Sequence, residues 1–548
     1  MEVSINIDSA VNRKPHRPEH PTAHAAFNPP GLSVTDRVIV IGAGIAGLAA
    51  ALDLSTRGRE VLVLERAATP GGKLRQIVID GRPIDAGPTV FTMKRVFEEL
   101  FADAGTSLEA QLTLRPTEIL ARHAWSATER LDLFADIGRS TEAIGTFAGR
   151  AAAHGFRQFT VRARKMFETL EPSFIRNPRP TPISMVTTAG PLRMLQVSPF
   201  ASLWSALGQH FRDPRLRQLF ARYSTYSGAS PFQCPATLML IAHVEQDGVW
   251  MVDGGMHRVA QAIAALATSK GAEFRYNTHV AGILTSGGRA SGVRLESGEE
   301  IAASQVIVNA DLGALSGGLF GPEIARAVPR ANPVGRSLSA VTWTMLAEAR
   351  GFPLSRHTVF FGNAYESEFT DIFRHQRLPR APTVYVCAQD RDDAGLGAAG
   401  PERLLCLVNA PAIGDRRRFE PSEIDPCETS AFQLLERCGL TLDRTPANTV
   451  LTTPAEWNAL FPATGGALYG PALHSWNSSF QRPPAKLGLP GLFLAGGSAH
   501  PGPGVPMATL SGRMAAHAAM LARPSSSSRP TSPSPSRLAA TPGGTWMR

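Results

Sequence analysis

The sequence predicts an α/β fold: a parallel sheet assembled from stretches far apart in the chain, joined to a second lobe of mixed sheet and helix. Three observations carry this. The β-branched run Val38-Ile39-Val40-Ile41 feeds the turn Gly42-Ala43-Gly44-Ile45-Ala46-Gly47 and then an alanine- and leucine-rich helix. A second apolar run, Val61-Leu62-Val63-Leu64, ends on Glu65, roughly 20 residues beyond the glycines. Far downstream, Leu492-Phe493-Leu494-Ala495 again enters a glycine-rich turn and a helix, from Pro506 to Ala522.

Each part of the first unit has a physical task. Gly42 allows the tight turn, and Gly44 lets the backbone approach phosphates. Gly47 lets the helix pack closely on its strand. Ile45 and Ala46 open the helix, whose free N–H groups face a pyrophosphate. Glu65 sits where a carboxylate accepts hydrogen bonds from an adenosine ribose. A glycine triplet alone is weak evidence. Strand, triplet, helix, strand and terminal acid in this order specify a Rossmann-like dinucleotide-binding domain.

Thr69-Pro70-Gly71-Gly72-Lys73-Leu74-Arg75 follows the second strand. Gly71 and Gly72 remove side chains beside the cofactor. Arg75 offers a planar set of donors to a pyrophosphate or a flavin edge. Lys73 either joins it or belongs to a solvated basic loop. With the N-terminal unit, this element resembles the FAD-dependent flavoproteins with two dinucleotide-binding domains, a superfamily of amine oxidases, carotenoid desaturases and flavin-free prenyl-protein escort proteins. FAD is the cofactor this resemblance implies, with Arg66 and Val280 among the residues around it.

At 548 residues the chain exceeds one ordinary core. The dinucleotide domain is expected from residues 36–110, 250–312 and 488–522. The middle piece contains Val252-Asp253-Gly254-Gly255-Met256, a helix from Val259 to Ser269, a strand through Thr278-His279-Val280, and a hairpin pattern before Gln305-Val306-Ile307-Val308. Residues 111–249 and 313–487 are left for a substrate lobe. Residues 1–35 read as a disordered leader, and 523–548 as a Ser/Pro tail unable to form a core.

Composition narrows the class. The net charge is +9, but the cations are dispersed and Arg416-Arg417-Arg418 has no interleaved aromatics, which argues against a nucleic-acid surface. The five cysteines are scattered without a C-x-x-C, so neither a disulfide framework nor a metal site is indicated. His16, His20 and His24 lie in the proline-interrupted leader. The polar start lacks the features of a secretory signal, and a spanning helix is not expected.

The later motifs point further. Gly87, Pro88 and Thr89, in Asp85-Ala86-Gly87-Pro88-Thr89, sit where related flavoproteins place a loop beside the isoalloxazine; read alone, the stretch is an ordinary Gly-Pro turn. The run Leu494-Ala495-Gly496-Gly497-Ser498-Ala499-His500-Pro501-Gly502-Pro503-Gly504-Val505-Pro506-Met507 closely resembles the signature of bacterial-type carotenoid desaturases. So do Tyr226-Ser227-Gly228-Ala229-Ser230-Pro231, Gly248-Val249-Trp250 and Thr464-Gly465-Gly466-Ala467-Leu468-Tyr469-Gly470, and several segments are nearest the 1-hydroxycarotenoid 3,4-desaturase branch. The resemblance covers residues 36–522. It implies that Gly496, Gly497 and Ser498 meet the ribityl chain. The helix N-terminus at Val505, Pro506 and Met507 would face the flavin pyrimidine edge, where its dipole favours the anionic reduced ring by about 1 kcal/mol. Two departures stand out: Gly497-Ser498 replaces the acid many FAD proteins place there, and Ala499 replaces a threonine common in the family.

The implied reaction removes two hydrogens from a C–C bond beside a polyene, with hydride passing to flavin N5 and oxygen or a quinone as final acceptor. The partner is an acyclic, hydroxylated carotenoid, or phytoene or neurosporene within the same family. Such a substrate implies a cytoplasmic protein held peripherally on the inner or intracytoplasmic membrane, through an apolar patch at a tunnel mouth. Candidates for proton handling are His500, within the flavin motif, and Arg164, where related desaturases also carry arginine. Arg164 reads first as a surface helix residue, and His243 first as a buried, satisfied histidine. Glu366 and Asp371 face either a channel or solvent. Phe200 to Phe211 is either part of the mouth or a core-facing helix. Two other readings compete: a flavin amine oxidase, and a flavin-free isoprenoid carrier.

Overall fold

The computed structural model describes residues 36–197, 200–332, 335–392 and 400–522. The expected leader and tail lie outside these residues. All three predicted pieces of the dinucleotide domain feed one parallel five-stranded sheet. Its order is Leu492–Leu494, Gln305–Val308, Val38–Ile41, Val61–Leu64, Glu273–Arg275. The first four strands are buried throughout, and they read as nearly unbroken apolar runs because both faces of the sheet are covered. One detail differs from expectation. Thr278 and His279 are not strand residues, because Asn277 takes a left-handed φ of 52° and turns the chain. The sheet's edge is Glu273–Arg275, and Val280–Ser286 starts a separate three-stranded antiparallel sheet with Arg289–Leu295 and Glu300–Ala302.

The helix Ile45–Thr56 packs against the C-terminal helix Val505–Leu521. A Cβ on Gly512 would stand 2.0 Å from the Ala46 carbonyl oxygen, so glycine permits the approach. This packing sets two helix N-termini, Ile45 and Val505, at the same end of the sheet, the end where its strands finish.

The second lobe holds a seven-stranded mixed sheet. Its order is Thr449–Thr452, Ser339–Ala347, Glu402–Ala410, Val384–Ala388, His357–Phe360, Ile119–Ala124, Arg130–Phe134. Side chains alternate between its faces. Val341, Trp343 and Phe360 pack under the helix Pro421–Arg437. Val359 and Phe361 face a helical layer centred on Phe156, Phe159, Phe211 and Phe220. Of the stretch Phe200 to Phe211, Leu203, Ala206, Leu207 and Phe211 are core, and Phe200 is exposed. Gln389 clamps the lobes together: its amide nitrogen donates to the Asp85 carbonyl (2.8 Å) and its amide oxygen accepts from the Asp85 N–H (3.0 Å). The loop that follows Asp85 is thereby fixed against the second sheet.

Candidate active site

A continuous cavity of about 1320 Å³ runs from Glu65 and the glycine turn to the helices of the second lobe. That exceeds a typical small-molecule pocket and leaves room for a dinucleotide and a second ligand. At its first end, Gly42 adopts φ 94°, and a Cβ on Gly44 would stand 2.6 Å from the Asn309 side-chain oxygen. The helix Ile45–Thr56 begins on Gly44 with no side-chain cap. Gly47 N–H donates to Asn309 Oδ1 (3.1 Å), which leaves the N–H groups of Ile45 and Ala46 for a ligand. Gly47 does not line the cavity; a Cβ there would meet the Gly42 carbonyl at 2.1 Å, so its role is close helix packing.

Every other predicted cofactor residue lines the cavity. Glu65 is buried and held by the turn itself: Oε2 accepts from Ala43 N–H (2.6 Å) and Oε1 from Ala67 N–H (2.8 Å). A carboxylate has lone pairs to spare after these two bonds. Arg66 donates to the carbonyls of Ala459 and Leu460. Gly71 N–H donates to the Ala43 carbonyl (2.8 Å), and a Cβ on Gly72 would stand 3.1 Å from Gly44 Cα, so the double glycine lies flat against the first turn. Lys73 is not in a solvated loop. Its ammonium donates to the Leu468 carbonyl (2.6 Å), lies 5.4 Å from the centre of the Phe461 ring, and has its pKa pushed down by burial. Arg75 lies over Trp457, and its buried Nη1 has no partner within the protein. A buried guanidinium nitrogen left open toward a cavity is costly unless an acceptor arrives. The donor set — open helix N–H groups, a buried cation and a locked carboxylate — fits the phosphates and ribose of FAD.

The catalytic candidates fall elsewhere. Arg164 points outward from the helix Arg150–Leu170 and pairs with Glu168 (2.8 Å) one turn on, with its side chain 68% exposed. His500 is buried behind Phe174, edge-on to that ring at 5.0 Å, and does not line the cavity. Burial lowers its pKa to about 4, so it is uncharged near neutrality. Glu366 is exposed and Asp371 is bound to Arg377 (2.6 Å); neither reaches the cavity. His243 is half-buried against Phe167.

Two residues that hold the site, Asn309 and Arg482, gave no local signal, and the role of Asp85 within its motif was not legible either. Asn309 bridges Gly47 N–H and the Ala495 carbonyl (3.0 Å). Arg482, 4% exposed, donates to the carbonyls of Gly497 (2.5 Å), Tyr469 (3.1 Å) and Pro471 (2.8 Å). Asp85 caps the helix His257–Ser269 by accepting from Met256 N–H (2.6 Å). Ser498 lines the cavity, and its hydroxyl accepts from Leu312 N–H (3.0 Å).

Residues 45–520 match the model of the family described as flavin containing amine oxidoreductase. The chain belongs to this family, in its carotenoid desaturase branch. It is 57% identical over 490 residues to a hydroxyneurosporene desaturase from Rubrivivax gelatinosus, covering 89% of this chain and 93% of that one. A hydroxyneurosporene desaturase from Cereibacter sphaeroides is 42% identical, over 88% and 97% of the two chains. Among solved structures, cyclohexylamine oxidase from Brevibacterium oxydans superposes with a TM-score of 0.52 at 16% identity, covering 88% and 98%, which speaks for the fold alone. As a member of a flavin-containing oxidoreductase family, the chain is an oxidoreductase whose redox group is a flavin. Among the described residues no helix is long and apolar enough to cross a membrane.

Proposed function

We propose that this flavin oxidoreductase binds FAD and desaturates an acyclic, 1-hydroxylated carotenoid at C3–C4. The observation that carries the reading is the continuity of the cavity. Its dinucleotide end, with Glu65 and Arg75, opens without a break into walls of Leu170, Phe174, Met185, Leu238, Ile241 and Val244. Those apolar walls suit a polyene. Bound FAD supplies the hydride acceptor, at N5. The chain's own contribution is placement: the loop Gly87–Thr89 and the turn Gly496–Ser498 would hold the flavin, and the apolar walls would hold the polyene beside it and exclude water. A cation developing beside a polyene is stabilised by the polyene, so proton loss needs only a weak base. Oxygen or a quinone serves as final acceptor. The test supplies 1-hydroxyneurosporene, neurosporene and phytoene in separate membranes with FAD. A red shift confined to or strongest with the hydroxylated substrate is expected; a red shift that starts from phytoene overturns the assignment.

The same reading makes the protein peripheral to a membrane. Ile183 (78% exposed), Leu192 (76%), Phe200 (81%) and Trp476 (48%) are large apolar side chains left in solvent. Their neighbours Met185, Val186 and Met194 line the cavity, as do Phe200 and Trp476 themselves, so the exposed cluster lies at the mouth of the cavity. Burying such side chains in a bilayer interface contributes on the order of 1.5–3 kcal/mol each. An Ile183→Asp/Leu192→Asp double variant is expected to lose at least tenfold in co-sedimentation with anionic vesicles while keeping its flavin spectrum. Unchanged co-sedimentation contradicts this placement.

A further inference from the structure

The apolar cavity has one polar interior patch, and neither the flavin nor a hydrocarbon chain accounts for it. Arg222 lines the cavity between two tyrosine rings, its guanidinium carbon 5.7 Å from the centre of Tyr226 and 5.3 Å from that of Tyr385. Around it the hydrogen bonding is closed. Tyr226 and Tyr223 both donate to the buried Glu245, at 3.1 and 2.5 Å. The Tyr385 hydroxyl lies 2.7 Å from His357 Nδ1 and 2.7 Å from Thr89 Oγ1. Thr383 and Asn409, also on the cavity wall, both donate to the buried Glu368 (2.7 and 2.8 Å).

Polar groups on the wall of an apolar cavity are tolerated where the protein or a ligand gives them partners. The buried carboxylates Glu245 and Glu368 balance the charge of Arg222, which still lines the cavity and can donate to a ligand there. The patch is also in a telling place. Thr89 ends the loop whose Ala86 N–H donates to the Arg75 carbonyl (2.9 Å), and a Cβ on Gly87 would stand 1.8 Å from the Lys73 carbonyl. Thr89 therefore ties the polar patch directly to the double-glycine segment that lies on the dinucleotide side. A polar substituent read here sits next to the reacting bond, not at the far end of the tunnel.

Given the function proposed above, on which this step rests, we infer that Arg222, set between Tyr226 and Tyr385, reads the oxygen on C1 of the substrate and so selects oxygenated ends over plain hydrocarbon ends. Only C2 separates the carbon bearing that oxygen from the bond to be oxidised, so a reader of the oxygen must lie beside the flavin. A guanidinium donates and never accepts. It can therefore donate to an ether oxygen as well as to a hydroxyl oxygen. Tyr226 and Tyr385 are positioning residues that hold the guanidinium plane.

The experiment compares kcat/KM for 1-hydroxyneurosporene, its 1-methoxy ether and neurosporene in the FAD-loaded protein and in Arg222→Met, Arg222→Lys and Tyr385→Phe variants. Arg222→Met is expected to lose at least tenfold on both oxygenated substrates and less than threefold on neurosporene, with unchanged FAD absorbance. Arg222→Lys is expected to recover part of that loss, because one charged donor remains, and Tyr385→Phe to show a smaller loss of the same selectivity. Equal losses on all three substrates, or an unchanged preference in Arg222→Met protein of normal flavin content, overturn the inference while leaving the desaturase reading intact. Inactivity of the wild-type protein on all three removes the reading on which it rests.

Discussion

A Gly44→Val protein is expected to leave purification without the flavin spectrum, with an affinity for added FAD at least 100-fold below wild type, or about 2.7 kcal/mol. Two contacts make this a large effect. The first Cβ alone would lie 2.6 Å from Asn309 Oδ1, the atom that receives the Gly47 N–H. The valine methyls would also stand over the open N–H groups of Ile45 and Ala46, where the pyrophosphate is to lie. The φ of Gly44 is −69°, a value open to any residue, so backbone strain is not the cause. The fold has reason to survive, because the helix Ile45–Thr56 is anchored by its packing on Val505–Leu521. Circular dichroism and the flavin absorption band, read on the same sample, separate loss of cofactor from loss of fold. Flavin retained at wild-type affinity would show that the phosphates do not lie on this turn.

Arg482→Met is expected to lower stability by about 3 kcal/mol or more and to loosen the flavin-side turn. Arg482 satisfies three carbonyls at once, those of Gly497, Tyr469 and Pro471, and it is itself buried. Methionine fills much of the volume but leaves those carbonyls without this donor, at roughly 1–3 kcal/mol for each one that finds no other partner. Removing the charge offsets part of this, since burial already drives the guanidinium pKa down to about 10. Arg482→Lys is expected to rescue little, because an ammonium on a flexible stem cannot span three carbonyls as a planar fork does. Denaturant unfolding monitored by far-ultraviolet circular dichroism measures both. A loss below 1 kcal/mol in Arg482→Met contradicts the organising role given to this residue.

The contrast between Gly44 and Arg482 shows what can be read from a sequence of this kind. The glycine turn, the double glycine and Glu65 were legible because their geometry is local: a tight turn, a helix start and a strand end announce themselves within a dozen residues. The discontinuous sheet was legible for a related reason, since a strand buried on both faces is a short unbroken apolar run wherever it occurs. Asn309, Arg482 and Gln389 were not legible. Each acts on backbone groups brought near only by folding, as Asn309 does on Gly47, 262 residues away. His500 was a candidate by adjacency. It stands inside the flavin motif, and its ring lies behind Phe174 and does not line the cavity. Arg164, the other candidate, stands on an outward helix face, paired with Glu168. Lys73 left two readings open in sequence, and only the carbonyl of Leu468, 395 residues on, decides for the buried one.

The most direct test mixes the FAD-loaded protein with 1-hydroxyneurosporene in the absence of oxygen, in a single turnover followed by absorbance. The flavin band is expected to bleach at the rate at which the carotenoid spectrum shifts to longer wavelength, one flavin reduced for each double bond formed, with neurosporene reacting more slowly. A carotenoid that binds while the flavin stays oxidised and its own spectrum stays unshifted would contradict the desaturase reading.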